Sequence, residues 1–360
     1  MPMAKAKRTA KTFLLYGANG YTGQLILEHA LRARVRPIVG GRNTAAITAL
    51  AKRHRLKARV FEVTDEAAAT DALTGVRAVL NAAGPFHRTA LPMARACLQT
   101  GTHYLDITGE IDVFEALAQQ DGAARRGGIM LLPGVGFDVV PTDCLAAHLK
   151  SRLPDASQLV LAFEGLGGLS RGTATTMVEN MANGGAIRRD GCIERVPAAW
   201  KTRTVDFGDG PITTVTIPWG DVSTAYYSTG IGNIEVYMAL PAPLIWQMQM
   251  TRYFDWFLQL SLVQNQLKAF IRAGVPGPGA TTRAASSTAI WGEATNARGK
   301  RVAARLYTPN GYTLTAMTAL RAVQNAATGK VKRGFQTPSR AFGRNFILQF
   351  DGVRRENVAG

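Results

Sequence analysis

Seven residues, Gly17-Ala18-Asn19-Gly20-Tyr21-Thr22-Gly23, carry the plainest chemistry in the chain. They come directly after an apolar run, Thr12 to Tyr16, and open a stretch of helical periodicity from Gly23 to Arg34. Glycines at such a junction let backbone N–H groups at a helix N-terminus approach a pyrophosphate, where the macrodipole favours negative charge. The loop from Gly17 to Gly23 is therefore expected to hold a dinucleotide diphosphate. The next apolar run ends Val39-Gly40-Gly41-Arg42-Asn43. A site for NAD places a carboxylate there, against the ribose 2′-hydroxyl. This chain has Arg42 instead, placed for a charge-assisted contact with a 2′-phosphate, so NADP(H) is the expected cofactor.

Later apolar runs end in further polar or small residues. Asp65 stands after the third and could bond the adenine amino group or cap the next helix. The fourth ends Asn81-Ala82-Ala83-Gly84-Pro85-Phe86, small enough to let a nicotinamide lie against the backbone. The fifth carries Tyr104, Asp106 and Glu110. Ligands of open α/β sheets bind outside the carboxyl ends of the strands, so these three are the candidate catalytic groups. After the sixth, Gly136 and Phe137 suit a loop packed against a planar ring. No tyrosine has a lysine four positions later, which excludes the Tyr-xxx-Lys chemistry of short-chain reductases. A Walker loop and a metal-ligand cluster are also missing, and no metal is expected.

The framework that carries these residues is legible in the hydrophobic pattern. Short apolar runs alternate with helical segments over the first 150 of 360 residues, as a doubly wound parallel sheet requires. The fold class expected is α/β: a Rossmann-type domain over residues 12–150, plus a second α+β domain with a mixed or antiparallel sheet. Beyond residue 150 strands are expected at Thr202 to Phe207, Ile212 to Ile217 and Asn233 to Leu240, with Asp209-Gly210 as a hairpin turn. Leu244 to Ile271 reads as one long helix with more apolar bulk than a single buried stripe needs. It suits a lipid-sized groove, a membrane surface or a dimer interface. Lys and Arg number 42 against 25 Asp and Glu, a net charge of +17. Nine basic residues and no acid lie between Glu28 and Glu62. Such a field attracts phosphates or an acidic protein; without interleaved aromatics, nucleic acid is the least favoured partner. Three scattered cysteines and no apolar leader fit a cytoplasmic protein.

GANGYTG, NAAGPF, CLQTGTHYLDITGE and PGVGFDVVPTD, with GFQTP and GRNFIL near the end, resemble the saccharopine dehydrogenase-like oxidoreductases. The small members that include trans-acting enoyl reductases are the most similar. The resemblance implies an NADP-binding Rossmann domain, a substrate or dimerisation domain over 151–309, and a return of the chain to the first domain around 310–345. It places Gly17, Asn19, Gly20, Tyr21, Thr22 and Gly23 at the pyrophosphate, Arg42 and Asn43 at the 2′-phosphate and Gly84, Pro85 and Phe86 beside the nicotinamide ribose. The expected activity is NADPH-dependent reduction of an activated C=C bond in an acyl or other apolar substrate, with Tyr104, then Glu110, as proton donor. An acidic carrier protein or the phosphates of coenzyme A would suit the basic surface. Competing expectations are an imine-reducing enzyme of saccharopine type and a non-enzymatic NADP-sensing or nucleic-acid-binding protein.

Overall fold

Runs of three or four apolar residues bounded by glycine or polar turns become the buried strands of a parallel sheet, because helices cover both faces. A computed structural model describes residues 12–165, 184–250, 277–329 and 331–358. The chain divides into two compact units, Met1–Phe137 with Thr315–Thr337, and Asp138–Leu314 with Pro338–Gly360.

The first unit alternates β1 (Phe13–Tyr16), α1 (Tyr21–Arg32), β2 (Ile38–Gly41), α2 (Thr44–His54), β3 (Ala58–Val60), α3 (Glu66–Leu73), β4 (Ala78–Asn81) and α4 (Phe86–Thr100). It continues with β5 (His103–Asp106), α5 (Ile111–Ala118), α6 (Asp121–Arg126) and β6 (Met130–Leu132). Strand order is β15-β6-β5-β4-β1-β2-β3, parallel throughout, where β15 is Gly334–Phe335 near the end of the chain. This is a doubly wound Rossmann-type sheet, as expected, and its strand order reverses beside β1. The stretch from Ile111 to Arg126 forms two helices, α5 and α6, separated by Gln119 and Gln120. Most of α11 (Gly311–Ala327) returns to this unit, burying Ala319, Leu320, Ala322, Val323 and Ala326.

The second unit holds a nine-stranded mixed sheet. β7 (Ala156–Glu164) pairs parallel with β12 (Asn233–Ala239) and antiparallel with β13 (Ser287–Asn296). β10 (Thr202–Asp206) and β11 (Pro211–Thr216) form the hairpin that Asp209-Gly210 announces. β11 then pairs with β12, and β14 (Arg301–Pro309) links β13 to β16 (Arg354–Val358). β8 (Gly185–Arg189) and β9 (Cys192–Val196) branch from β12. Helix α7 (Val140–Arg152) belongs here rather than to the first unit, because it packs on β13 and β14; the boundary falls at 137/138. α8 is Asp221–Thr229, α9 (Ala242–Met250) covers the start of the apolar segment, and α10 (Ala280–Ala285) leads into β13. Residues 251–271 of the apolar segment lie outside the described residues. No helix among the described residues is long and apolar enough to cross a membrane.

Candidate functional site

The glycines at the end of β1 are fixed by backbone crowding. Gly17 has φ +78°, and a Cβ there would lie 2.8 Å from the Ala82 carbonyl carbon. A Cβ on Gly23 would lie 2.2 Å from the Gly17 oxygen, so only glycine lets α1 start this close to the strand. Gly17 N–H and Ala18 N–H both donate to the Gly40 carbonyl, tying the loop to β2. The helix beyond the loop is open at its start. Gly20, its N-cap, offers no side chain, and the first turn holds no acid.

The three neighbouring helices differ. Asn43 Oδ1 accepts from Ala46 N–H and caps α2; Asp65 Oδ1 accepts from Ala68 N–H and caps α3. Glu110 reaches α4 from another loop, its carboxylate accepting from Phe86 N–H at 2.8 Å and His87 N–H at 2.9 Å. Among these four N-termini, α1 alone has no side-chain cap and no anion, which is the donor set a pyrophosphate requires. Asn19, exposed, lies beside Gly41, where its Oδ1 would be 3.3 Å from an added Cβ. Tyr21 and Thr22 are half-buried in the first turn of α1. Arg42, at the carboxyl end of β2, is 78% exposed and 3.8 Å from Glu62. These residues fit NADP(H): the α1 amides for the diphosphate, the Arg42 guanidinium for the 2′-phosphate.

Two of the expected contacts sit differently. Asp65 is a helix cap, and the Asn43 side-chain oxygen is engaged in capping as well, so Arg42 is left as the charged group at that end.

The nicotinamide side is built from the ends of β4, β5 and β6. Asn81 is wholly buried; its Oδ1 accepts from Ala83 N–H and its Nδ2 donates to Thr89 Oγ1. These bonds hold the turn through Gly84, Pro85 and Phe86. Tyr104 and Asp106 are brought together, the phenol donating to Asp106 Oδ2 at 2.6 Å. Both have zero exposure. Asp106 Oδ1 also accepts from Thr108 N–H and Gly134 N–H, joining the end of β5 to the loop after β6. Burial pushes the Asp106 carboxyl up to about 6, against the hydrogen bonds from Tyr104, Thr108 and Gly134 that lower it. Burial, and then the Asp106 charge, push the Tyr104 phenol well above its ordinary range. Gly136 and Phe137 are buried against α11, with Phe137 N–H donating to Thr315 Oγ1, so the Phe137 ring is 5% exposed.

Two groups that sequence reasoning did not select stand out. His87, in the first turn of α4, has a side chain 47% exposed and its Nδ1 3.3 Å from Glu110 Oε2. Arg88 Nε donates to its Nε2 at 3.3 Å. Asp138, directly after Phe137, is pushed up to about 7 by desolvation. The PFH and GFD triplets at strand-end turns are the only sequence signal for either. Among the described residues no group of three His, Cys, Asp or Glu could hold a metal ion.

Residues 13–132 match the family described as the saccharopine dehydrogenase NADP binding domain. The chain thus carries a domain similar to the NADP-binding domain of the saccharopine dehydrogenase family. Its first unit is the family's NADP-binding domain, and NADP(H) is its cofactor. A candidate trans-acting enoyl reductase of Mycobacterium tuberculosis is 31% identical over 188 residues, covering 46% of this chain and 43% of that protein. A saccharopine dehydrogenase-like oxidoreductase of Bos taurus is 25% identical over 171 residues, 42% of this chain and 40% of the relative. The matches thus span less than half the length of these relatives. The fold extends further: saccharopine dehydrogenase (L-Glu forming) from Saccharomyces cerevisiae superposes with a TM-score of 0.62 at 12% identity, covering 97% of this chain and 100% of that one.

Proposed function

We propose that the chain is an NADPH-dependent oxidoreductase that reduces an activated C=C bond of an acyl or other apolar substrate. The observation that carries the cofactor half of this reading is the bare N-terminus of α1 beside Arg42. Support for the C=C half comes from the relatives named as enoyl reductases and from the apolar α9, whose Trp246 is 62% exposed.

NADPH supplies a hydride when bound, and the chain must orient the acceptor and deliver a proton. Tyr104 and Asp106 are sealed from solvent and rivet β5 to the loop after β6, so they are assigned to positioning. His87 takes the donor role: it is half-exposed on the edge of the sheet where the nicotinamide half of a dinucleotide lies, and Glu110 fixes its ring. Asp138, with a carboxyl near neutrality, is the second candidate.

The decisive experiment monitors NADPH oxidation with enoyl thioesters, enones and imines. Reduction of the enoyl compounds is expected. Consumption that instead requires an amine together with a keto acid would replace this reading with the imine-reducing one. If none of the panel is reduced while NADPH still binds, the enzymatic reading fails and a cofactor sensor remains.

A further inference from the structure

In a parallel sheet every helix-to-strand connection lies at the amino edge and every strand-to-helix connection at the carboxyl edge. The first unit separates its charge by edge. The connections at the carboxyl edge carry Glu62, Asp65 and Glu110 against Arg42. The described residues of the connections at the amino edge carry no acid at all. Arg34 and Arg36 precede β2, Arg55 and Lys57 precede β3, Arg77 precedes β4, and Lys332 and Arg333 precede β15. From β15 to β3 the sheet has six inter-strand intervals, so the basic edge runs about 29 Å.

Cations at helix C-termini offset the macrodipole, and that accounts for Arg32, Lys52 and Arg53. It does not account for the residues beyond the helices. Arg34 (φ +58°) and Arg55 (φ +53°) occupy left-handed positions after α1 and α2, where glycine carries no steric penalty. Arg36 brings the two loops together, donating to the His54 carbonyl at 2.9 Å and the Arg55 carbonyl at 2.6 Å. Of the exposed large apolar side chains among the described residues, Val60, Trp200, Leu244, Trp246 and Leu348, none lies in these connections.

We infer that the amino edge of this unit is a docking face for an anionic phospholipid surface. A protein partner needs an apolar or aromatic centre to hold it, and single-stranded nucleic acid needs stacking platforms; this edge offers neither. It offers charge alone, spread over a row of short turns, which a lipid surface can engage at every residue with roughly a fivefold gain in partition each. Bound this way, the cofactor edge faces away from the lipid and stays open.

The test is cosedimentation of the full chain with phosphatidylcholine vesicles containing about a third phosphatidylserine, at low and physiological salt. Wild type should sediment with them, and not with pure phosphatidylcholine. The quadruple variant Arg34→Gln, Arg36→Gln, Arg55→Gln, Lys57→Gln should partition roughly six hundredfold less. The pair Arg34→Gly, Arg55→Gly removes two charges while easing the backbone, and should bind roughly twenty-five-fold less without loss of thermal stability. NADPH affinity should be unchanged in both, since the altered residues lie on the opposite edge. Equal sedimentation with neutral vesicles, or full binding by both variants, overturns the inference. So does retention on a DNA duplex at physiological salt without vesicle binding.

Discussion

Arg42 stands 78% exposed at the end of β2, with the Glu62 carboxylate 3.8 Å away. So exposed a guanidinium gains little from Glu62, and its charge is available to a phosphate. Arg42→Ala should weaken NADPH binding roughly tenfold and leave NADH binding unchanged, read by fluorescence titration with both cofactors. Equal losses would remove the 2′-phosphate assignment. The donor roles separate in the same way. His87→Gln should lower turnover about a hundredfold at constant NADPH affinity, since a positioned proton donor contributes that much. Asp138 delivers a proton only below its value of about 7, so a rate that depends on it falls as pH rises through neutrality. Asp138→Asn should flatten that limb of the pH profile; an unaltered profile clears Asp138 of the role.

At the scale of elements, two features join strands to the segments after them. The first is the contact between Gly23 and the Gly17 oxygen, which lets α1 sit on β1. Gly23→Ala forces the loop outward and should cost about 1–3 kcal/mol, measured by urea unfolding, together with NADPH binding. The second is Asp106. Its carboxyl is raised in the fold, so the folded state binds the proton more tightly than the unfolded chain does. Stability is therefore fullest at acid pH and falls as pH rises from the unfolded value near 4 to the folded value of about 6, by about 2–3 kcal/mol. Asp106→Asn keeps an oxygen for Thr108 N–H and Gly134 N–H but carries no charge. Its melting temperature at pH 8 should match or exceed that of wild type, with the slope between pH 4 and 6 abolished. A variant that melts lower at pH 8 and keeps the slope would show the charge to be needed.

For the whole molecule the decisive feature is the return of the chain. β15 forms one edge of the parallel sheet, and α11 clamps the loop after β6 through Thr318 Oγ1, which donates to the Val135 carbonyl at 2.8 Å. A fragment of residues 12–137 lacks both. It should bind no NADPH and show no cooperative unfolding. Joining residues 315–337 to it through a short flexible linker should restore both properties. Cooperative unfolding of the unsupplemented fragment would show that the returning segment is dispensable.

The sequence alone determined the first unit in outline. Its strands and helices are coded locally, by short apolar runs, by helical periodicity and by glycines where a side chain would collide with neighbouring backbone. The pyrophosphate loop and Arg42 are neighbours in sequence because one βαβ unit makes both, so they could be read without a structure. The second unit was legible in the Asp209-Gly210 hairpin and at β12; β13 and β14, Ser287–Asn296 and Arg301–Pro309, escaped because their half-exposed faces also carry apolar residues such as Trp291 and Ala303. Tertiary structure alone decided which polar groups are open to solvent and which are sealed. Tyr104 and Asp106 end a strand on the expected edge, yet both are wholly buried in the fold. Glu110 closes a helix that begins 24 residues earlier, and by doing so it orients His87. Burial and partners set by residues distant in sequence are not written in any local pattern, and they fix whether a titratable side chain can reach a substrate.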